Sequence, residues 1–129
     1  MKTRIQIDQK IINGALQLSG SKSISNRLLI IQALSGSINS IHNYSTSEDT
    51  CVLQKALSSN SSIIDIGLAG TAMRFLSAYY ASRKSDVILT GSTRMKQRPI
   101  GVLVDALRLL GADISYTEKE GFPPLKIKG

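Results

Sequence analysis

Apolar positions change period several times along the chain, and each change predicts an element. Residues 3–8 alternate, with Ile5 and Ile7 on one side, which predicts a short strand. Asn13-Gly14 is a turn signal between Ile11-Ile12 and the Leu16 and Leu18 positions. From about residue 23 to 34 the spacing lengthens to three and four. Ile24, Leu28, Ile31 and Leu34 then form one apolar face of a helix, and Ser35-Gly36 stops it. Residues 37–41 read as a strand and 43–47 as a polar loop. Ser47 is a candidate N-cap, with Glu48 and Asp49 in the first turn, where acids suit the helix dipole. Val52, Leu53, Ala56 and Leu57 follow as a core-facing stripe.

The second half repeats the alternation of strand and helix. Ile63-Ile64-Asp65-Ile66 is a short buried strand, and Gly67-Leu68-Ala69-Gly70-Thr71 opens a helix carrying Met73, Leu76 and Tyr80. Val87-Ile88-Leu89 is a strand and Gly91-Ser92-Thr93-Arg94 a polar turn. Pro99 suits the first turn of the next helix. Its inner stripe is Ile100, Leu103, Val104 and Leu107, and Gly111 is the expected C′ residue. Ala112, Ile114 and Tyr116 alternate as a strand, residues 118–121 turn, and Leu125 and Ile127 alternate in a last strand after Pro123-Pro124. The order β-β-α-β-α-β-α-β-α-β-β predicts repeated α/β units with mixed strand directions, not a doubly wound sheet. Gly20-Ser21 followed by Arg27, and Gly70-Thr71 followed by Arg74, make a faint internal echo.

Composition narrows the class. The 129 residues match the usual size of one domain, and 42% hydrophobic content is enough to drive folding. No apolar run approaches the ~20 residues of a membrane span. The start of the chain has no apolar signal core, so a cytosolic, cytoplasmic setting is expected. Cys51 is the single cysteine and His42 the single histidine, which sets aside an internal disulfide, a zinc domain and a haem protein. Sixteen Lys and Arg against nine Asp and Glu give a net charge of +7 and point to an anionic partner. Aromatics are only 5% and none interleaves with the basic run Arg94-Met95-Lys96-Gln97-Arg98, which disfavours nucleic acid. A small anionic ligand is favoured.

The cations gather near helix starts. Such a start presents unpaired N–H groups, small residues let an anion approach, and Lys or Arg adds full charge. Residues 19–27 and 67–74 are two such starts, and 94–98 precedes a third. They offer Lys22, Arg27, Arg74, Arg94, Lys96 and Arg98 to a ligand with several phosphate or carboxylate groups. The phosphate-loop pattern is absent, since Ala15 stands where an earlier Gly is needed, and Gly-x-Gly-x-x-Gly is absent too. Against these stand plainer readings: Lys22, Arg27 and Lys96 as solvated charges, Met73 and Phe75 as packing residues, Cys51 as a small apolar residue. No pair of carboxylates has the spacing of an acid/base pair.

Three motifs in register nevertheless resemble one family. Ser19-Gly20-Ser21-Lys22-Ser23-Ile24-Ser25-Asn26-Arg27, Ala69-Gly70-Thr71-Ala72-Met73-Arg74 and the run from Leu89 through Arg94 and Arg98 to Ile100 are similar to the signatures of EPSP synthases (3-phosphoshikimate 1-carboxyvinyltransferases). The likeness continues through residues 103–112 and Pro123-Pro124-Leu125. It implies the enolpyruvyl transferase fold, an inside-out α/β barrel. There each of two lobes holds three βαβαββ units, with helices inside and sheets outside. The family chain is roughly three times as long, so this chain is expected to be its N-terminal portion. Residues 1–20 would cross to the other lobe, and 21–129 would form about two units, the second either complete or cut short.

The implied reaction transfers the enolpyruvyl group of phosphoenolpyruvate to the 5-hydroxyl of shikimate 3-phosphate and releases phosphate. By motif, Lys22 would contact both substrates and act in catalysis; Ser23 and Arg27 would bind shikimate 3-phosphate; Gly70 and Arg94 would bind phosphoenolpyruvate. Arg74 and Arg98 read as structural or field residues. No metal or organic cofactor is implied. Leu68 replaces a polar side chain of the family pattern near the donor, and Phe75 stands where Pro is common. The alternatives are UDP-N-acetylglucosamine enolpyruvyl transferase, whose first signature has Lys-Asn at Lys22-Ser23, and a non-catalytic binding or assembly fragment. The 129 residues alone are expected to lack turnover.

Overall fold

Helical and strand periods sort the chain into a sheet and a helical layer in the computed structural model, which describes residues 3, 4, 6, 13–36 and 40–129. The three-and-four spacing of the first half becomes α1 (Lys22–Ser35) and α2 (Glu48–Leu57). The second half becomes β1 (Ile63–Asp65), α3 (Gly70–Ala81), β2 (Asp86–Thr90), a 3₁₀ turn (Met95–Gln97), α4 (Gly101–Leu109), β3 (Asp113–Tyr116) and β4 (Leu125–Lys128). From β1 to β4 the order is one complete βαβαββ unit.

The sheet order is β1-β2-β4-β3. β1 and β2 are parallel across the α3 crossover, pairing Ile64 with Leu89. β4 runs antiparallel to both neighbours, so Ile127 faces Val87 on one side and Ile114 on the other. The mixed directions expected from the sequence are present. Alternation puts Ile64, Val87, Leu89, Ile114, Leu125 and Ile127 on the buried face. α3 packs on that face and is covered by α1, α2 and α4. It is therefore buried around much of its circumference, through Ala72, Met73, Leu76, Ser77, Tyr79 and Tyr80. Leu53 and Ala56 of α2 and Val104 of α4 join the same core. Each fully buried Leu or Ile here contributes about 1.5–3 kcal/mol.

α1 overturns its sequence reading. The apolar stripe Ile24, Leu28, Ile31 and Leu34 is 41–60% exposed. The buried side is Ser25, Asn26 and Leu29. Leu29 joins the core there with Ile30 and Ala33 beside it, and two of the polar groups are hydrogen-bonded: Thr50 Oγ1 donates to Asn26 Oδ1 at 2.8 Å, and the Ser45 N–H donates to Ser25 Oγ at 2.8 Å. Periodicity locates a helix and its apolar face; it does not say which layer covers that face.

Other differences are local. Ser47 stands at the N-cap of α2, but its hydroxyl lies 3.0 Å from Thr50 Oγ1 and caps no backbone N–H. Pro99 precedes Ile100, the N-cap of α4, so it sits just outside that helix. Gly111, with φ of 96°, takes the expected left-handed position after α4. Cys51 is half-buried. Residues 13–20 form no strand, and Leu16 and Leu18 are exposed. The strands expected at 3–8 and 37–41 rest on residues outside those described. Among the described residues, no helix is long and apolar enough to cross a membrane.

Candidate functional site

Two clusters of the expected residues form, one at the start of α1 and one around the start of α3. At α1, a Cβ on Gly20 would fall 1.9 Å from the Asn43 carbonyl oxygen. Only a glycine lets the backbone of residues 43 and 44 lie that close, and this sets the α1 start beside the loop that enters α2. The N-cap Ser21 makes no side-chain capping bond, and no acid stands in the first turn of α1. One cation, Lys22, occupies that turn instead. Lys22 Nζ lies 3.4 Å from Asp49 Oδ2, with side chains 51% and 27% exposed. Ser23 follows, exposed. Arg27 Nη1 folds back to donate to the Ser23 carbonyl at 2.9 Å, and its guanidinium carbon stands 5.8 Å from the Phe75 ring centroid of α3.

The second cluster is built where the parallel strands end. The Gly67 N–H donates to Asp65 Oδ1 at 2.8 Å, turning the chain after β1. Gly67 has φ of 56°, a left-handed conformation that suits glycine. The Ser92 N–H donates to the Gly67 carbonyl at 3.0 Å and ties the loop after β2 to the loop after β1. That tie brings the 3₁₀ turn, carrying Arg94 and Arg98 at its two ends, against the start of α3. Met95, 1% exposed, plugs the turn into the core. A cavity of about 370 Å³ opens there, lined by Leu68, Arg94 and Arg98. Gly70 lies beneath the Arg98 guanidinium, whose Nη1 is 2.5 Å from where a glycine Cβ would stand. As at α1, the start of α3 has neither a side-chain cap nor an acid.

The structure thus puts Arg94 and Arg98 on one cavity with Arg98 against Gly70, and ties Arg27 to the Ser23 carbonyl while Lys22 pairs with Asp49. Arg27 and Arg74 together rim an apolar groove between α1 and α3. Lys96 turns away to pair with Glu118 at 2.5 Å. Two relations escaped sequence reading. Asp49 reads as a dipole charge, yet it is also the partner of Lys22. Arg98 reads as a field residue, yet it rests on Gly70; the four-residue spacing of Arg94 and Arg98 across a short turn was the available signal. Among the described residues, no group of three His, Cys, Asp or Glu could hold a metal ion.

These loops and helix starts are where the sequence signatures lie, and comparison with known proteins gives them a family. Residues 7–59 and 51–129 match EPSP synthase (3-phosphoshikimate 1-carboxyvinyltransferase). The chain belongs to the EPSP synthase family. A relative in Bacteroides fragilis (strain YCH46), a 3-phosphoshikimate 1-carboxyvinyltransferase, is 54% identical over 118 residues, covering 92% of this chain and 29% of its own length. One of the same name in Pectobacterium carotovorum (strain PC1) is 42% identical over 146 residues, covering 93% and 34%. The solved EPSP synthase of Acinetobacter baumannii superposes with a TM-score of 0.74 at 26% identity, over 90% of this chain and 32% of that one.

The EPSP synthase fold expected from the motifs is therefore the observed one, present in part. The chain spans about a third of the length of the EPSP synthases it matches. The UDP-N-acetylglucosamine enolpyruvyl transferase alternative is not favoured by these matches.

Proposed function

We propose that this segment forms one wall of the active-site cleft of a 3-phosphoshikimate 1-carboxyvinyltransferase. The observation that carries the reading is the joining of the loops after β1 and β2. It sets Arg94 and Arg98, neither ion-paired among the described residues, over the uncapped start of α3. Both substrates are polyanions, and both uncapped helix starts are furnished with cations and no acid in the first turn.

In this reading Ser23 and Arg27 hold shikimate 3-phosphate, while the Gly70 backbone and Arg94 hold phosphoenolpyruvate. Lys22 reaches both. Its ammonium sits opposite the developing charge as the 5-hydroxyl attacks C2 of the donor and C3 takes a proton. A tetrahedral intermediate forms; its C2–O bond to phosphate then breaks as C3 gives up a proton, which restores the vinyl double bond and releases phosphate. The Lys22–Asp49 distance of 3.4 Å is longer than the 2.7–2.9 Å of a tight charge-assisted bond, so the ammonium is available to a substrate anion. Proton transfer falls to groups in the part of the relatives' length that this chain does not span. Closure of two lobes expels water and strengthens each of these contacts. The reading needs no metal or organic cofactor, places residues 1–20 as a crossing to a second lobe with 21–129 in one lobe, and fits a cytoplasmic setting.

The 129 residues by themselves read as a binding or assembly piece. The exposed apolar stripe of α1 favours this, since such a face calls for a covering layer. The test is a graft in which this segment replaces its 54%-identical counterpart in the Bacteroides fragilis enzyme. The graft should release phosphate from shikimate 3-phosphate plus phosphoenolpyruvate, and the 129-residue polypeptide should not. A folded graft with no turnover contradicts the enzyme reading.

A further inference from the structure

We infer that Arg98 is a second guanidinium, beside Arg94, on this wall of the phosphoenolpyruvate pocket, seated there by the absence of a side chain on Gly70. This rests on the function proposed above. The three heavy atoms nearest to an ideal Cβ at Gly70 all belong to one group: Arg98 Nη1 at 2.5 Å, Cζ at 2.9 Å and Nη2 at 3.0 Å. The guanidinium therefore lies directly against the Gly70 α carbon, in the space a methyl group would fill.

The other arginines at comparable positions are satisfied by protein oxygens. Arg27 donates to the Ser23 carbonyl, Arg74 to the Gly70 carbonyl, Arg83 to the Tyr79 hydroxyl and Arg108 to the Ile114 carbonyl. Arg94 and Arg98 have no such side-chain hydrogen bond and no ion pair among the described residues, and both face the same cavity of about 370 Å³. Two unneutralised guanidiniums in one small cavity repel each other, and a ligand with two anionic groups relieves that cost. Phosphoenolpyruvate carries a carboxylate and a phosphate.

The main chain of Arg98 is held firmly. Its N–H donates to the Met95 carbonyl at 2.9 Å, and the next donor, Ile100 N–H, binds the Gly121 carbonyl at 2.9 Å. The side chain is exposed and long, so a methyl on Gly70 displaces the guanidinium without disturbing the core. Gly70→Ala thus weakens the donor by moving Arg98, and this differs from a methyl that strikes the donor itself. The two routes separate in a double-mutant cycle.

In the Bacteroides fragilis graft, Arg98→Ala should raise the phosphoenolpyruvate KM by about tenfold or more, the loss of one charged hydrogen bond. The shikimate 3-phosphate KM should stay within about twofold. Gly70→Ala should do the same alone and add less than about twofold when Arg98→Ala is already present. Arg98→Lys should recover part of the loss, and melting temperatures should hold. An unchanged phosphoenolpyruvate KM in Arg98→Ala overturns the assignment while the function stands. So does a Gly70→Ala penalty of equal size in both backgrounds. A folded parent graft without turnover overturns the function and the assignment together.

Discussion

Lys22→Met removes one positive charge and keeps most of the aliphatic stem, so its structural and chemical consequences separate by size. The structural term is the pair with Asp49, at 3.4 Å with the lysine side chain 51% exposed. Pairs that open to solvent are worth about 0.2–1 kcal/mol. Met is also nearly as good a helix former as Lys, so α1 keeps its propensity. A loss of 1 kcal/mol moves the melting temperature of a domain this size by about 2–8 °C, and the change here should fall in the lower half of that range. The chemical term is larger. A preorganised donor aimed at developing charge in a water-excluded site is worth about 2.7–4 kcal/mol, or a hundred- to a thousandfold in kcat. Continuous phosphate release by the Bacteroides fragilis graft, read beside a thermal melt, measures both. The expected outcome is at least a hundredfold loss of kcat, weaker saturation by both substrates, and a melt shifted by under about 4 °C. Turnover within about tenfold of the parent would refute the role given to Lys22. A collapse of the melt would make it structural instead.

Tyr80 is buried with its hydroxyl donating to the Ala56 carbonyl at 3.0 Å, and burial pushes its phenol above the ordinary value. A group whose folded pKa is raised gives stability that is full below the unfolded value, about 10, and is lost as pH rises through the folded one. Denaturation midpoints followed from pH 8 to 11 should therefore fall at the alkaline end, and Tyr80→Phe should flatten that fall while costing about 1 kcal/mol at neutral pH. On the exposed side of α1, Ile31→Ser with Leu34→Ser should leave the melt of the isolated polypeptide nearly unchanged and improve its solubility. The same pair should destabilise the graft by more than about 2 kcal/mol if that stripe is covered there, as differential scanning calorimetry would read.

The second half of the chain was legible because its strands alternate cleanly and its turns are punctuated. Leu89, Ile114 and Ile127 are buried where alternation puts them, whereas the run 63–66, expected to be buried, alternates, with Ile64 inside and Ile63 exposed. Gly111 takes the left-handed position expected after α4. The first half was less so, for a physical reason. α1 has a well-formed apolar stripe, but in this structure the side packed inward is a mixed one, Leu29 with Ser25 and Asn26, held in part by hydrogen bonds to Ser45 and Thr50. A single sequence carries the amphipathic period without the identity of the neighbouring layer. The candidate site was legible as chemistry, since small residues beside cations marked both helix starts. Its assembly was not. The Ser92 to Gly67 hydrogen bond that brings Arg94 and Arg98 over α3 joins loops 25 residues apart in sequence, and no local pattern announces it. For the same reason Asp49 was read alone and not as the partner of Lys22.

In the proposed function the two clusters serve two different anions, Arg27 for shikimate 3-phosphate and Arg94 for phosphoenolpyruvate. Steady-state kinetics of Arg27→Ala and Arg94→Ala in the Bacteroides fragilis graft, with each substrate varied in turn, test it most directly. A crossed result is expected: Arg27→Ala raises the shikimate 3-phosphate KM by about tenfold or more, and Arg94→Ala does the same to the phosphoenolpyruvate KM, each sparing the other substrate. Equal effects on both substrates from either change, or none from both, would contradict it.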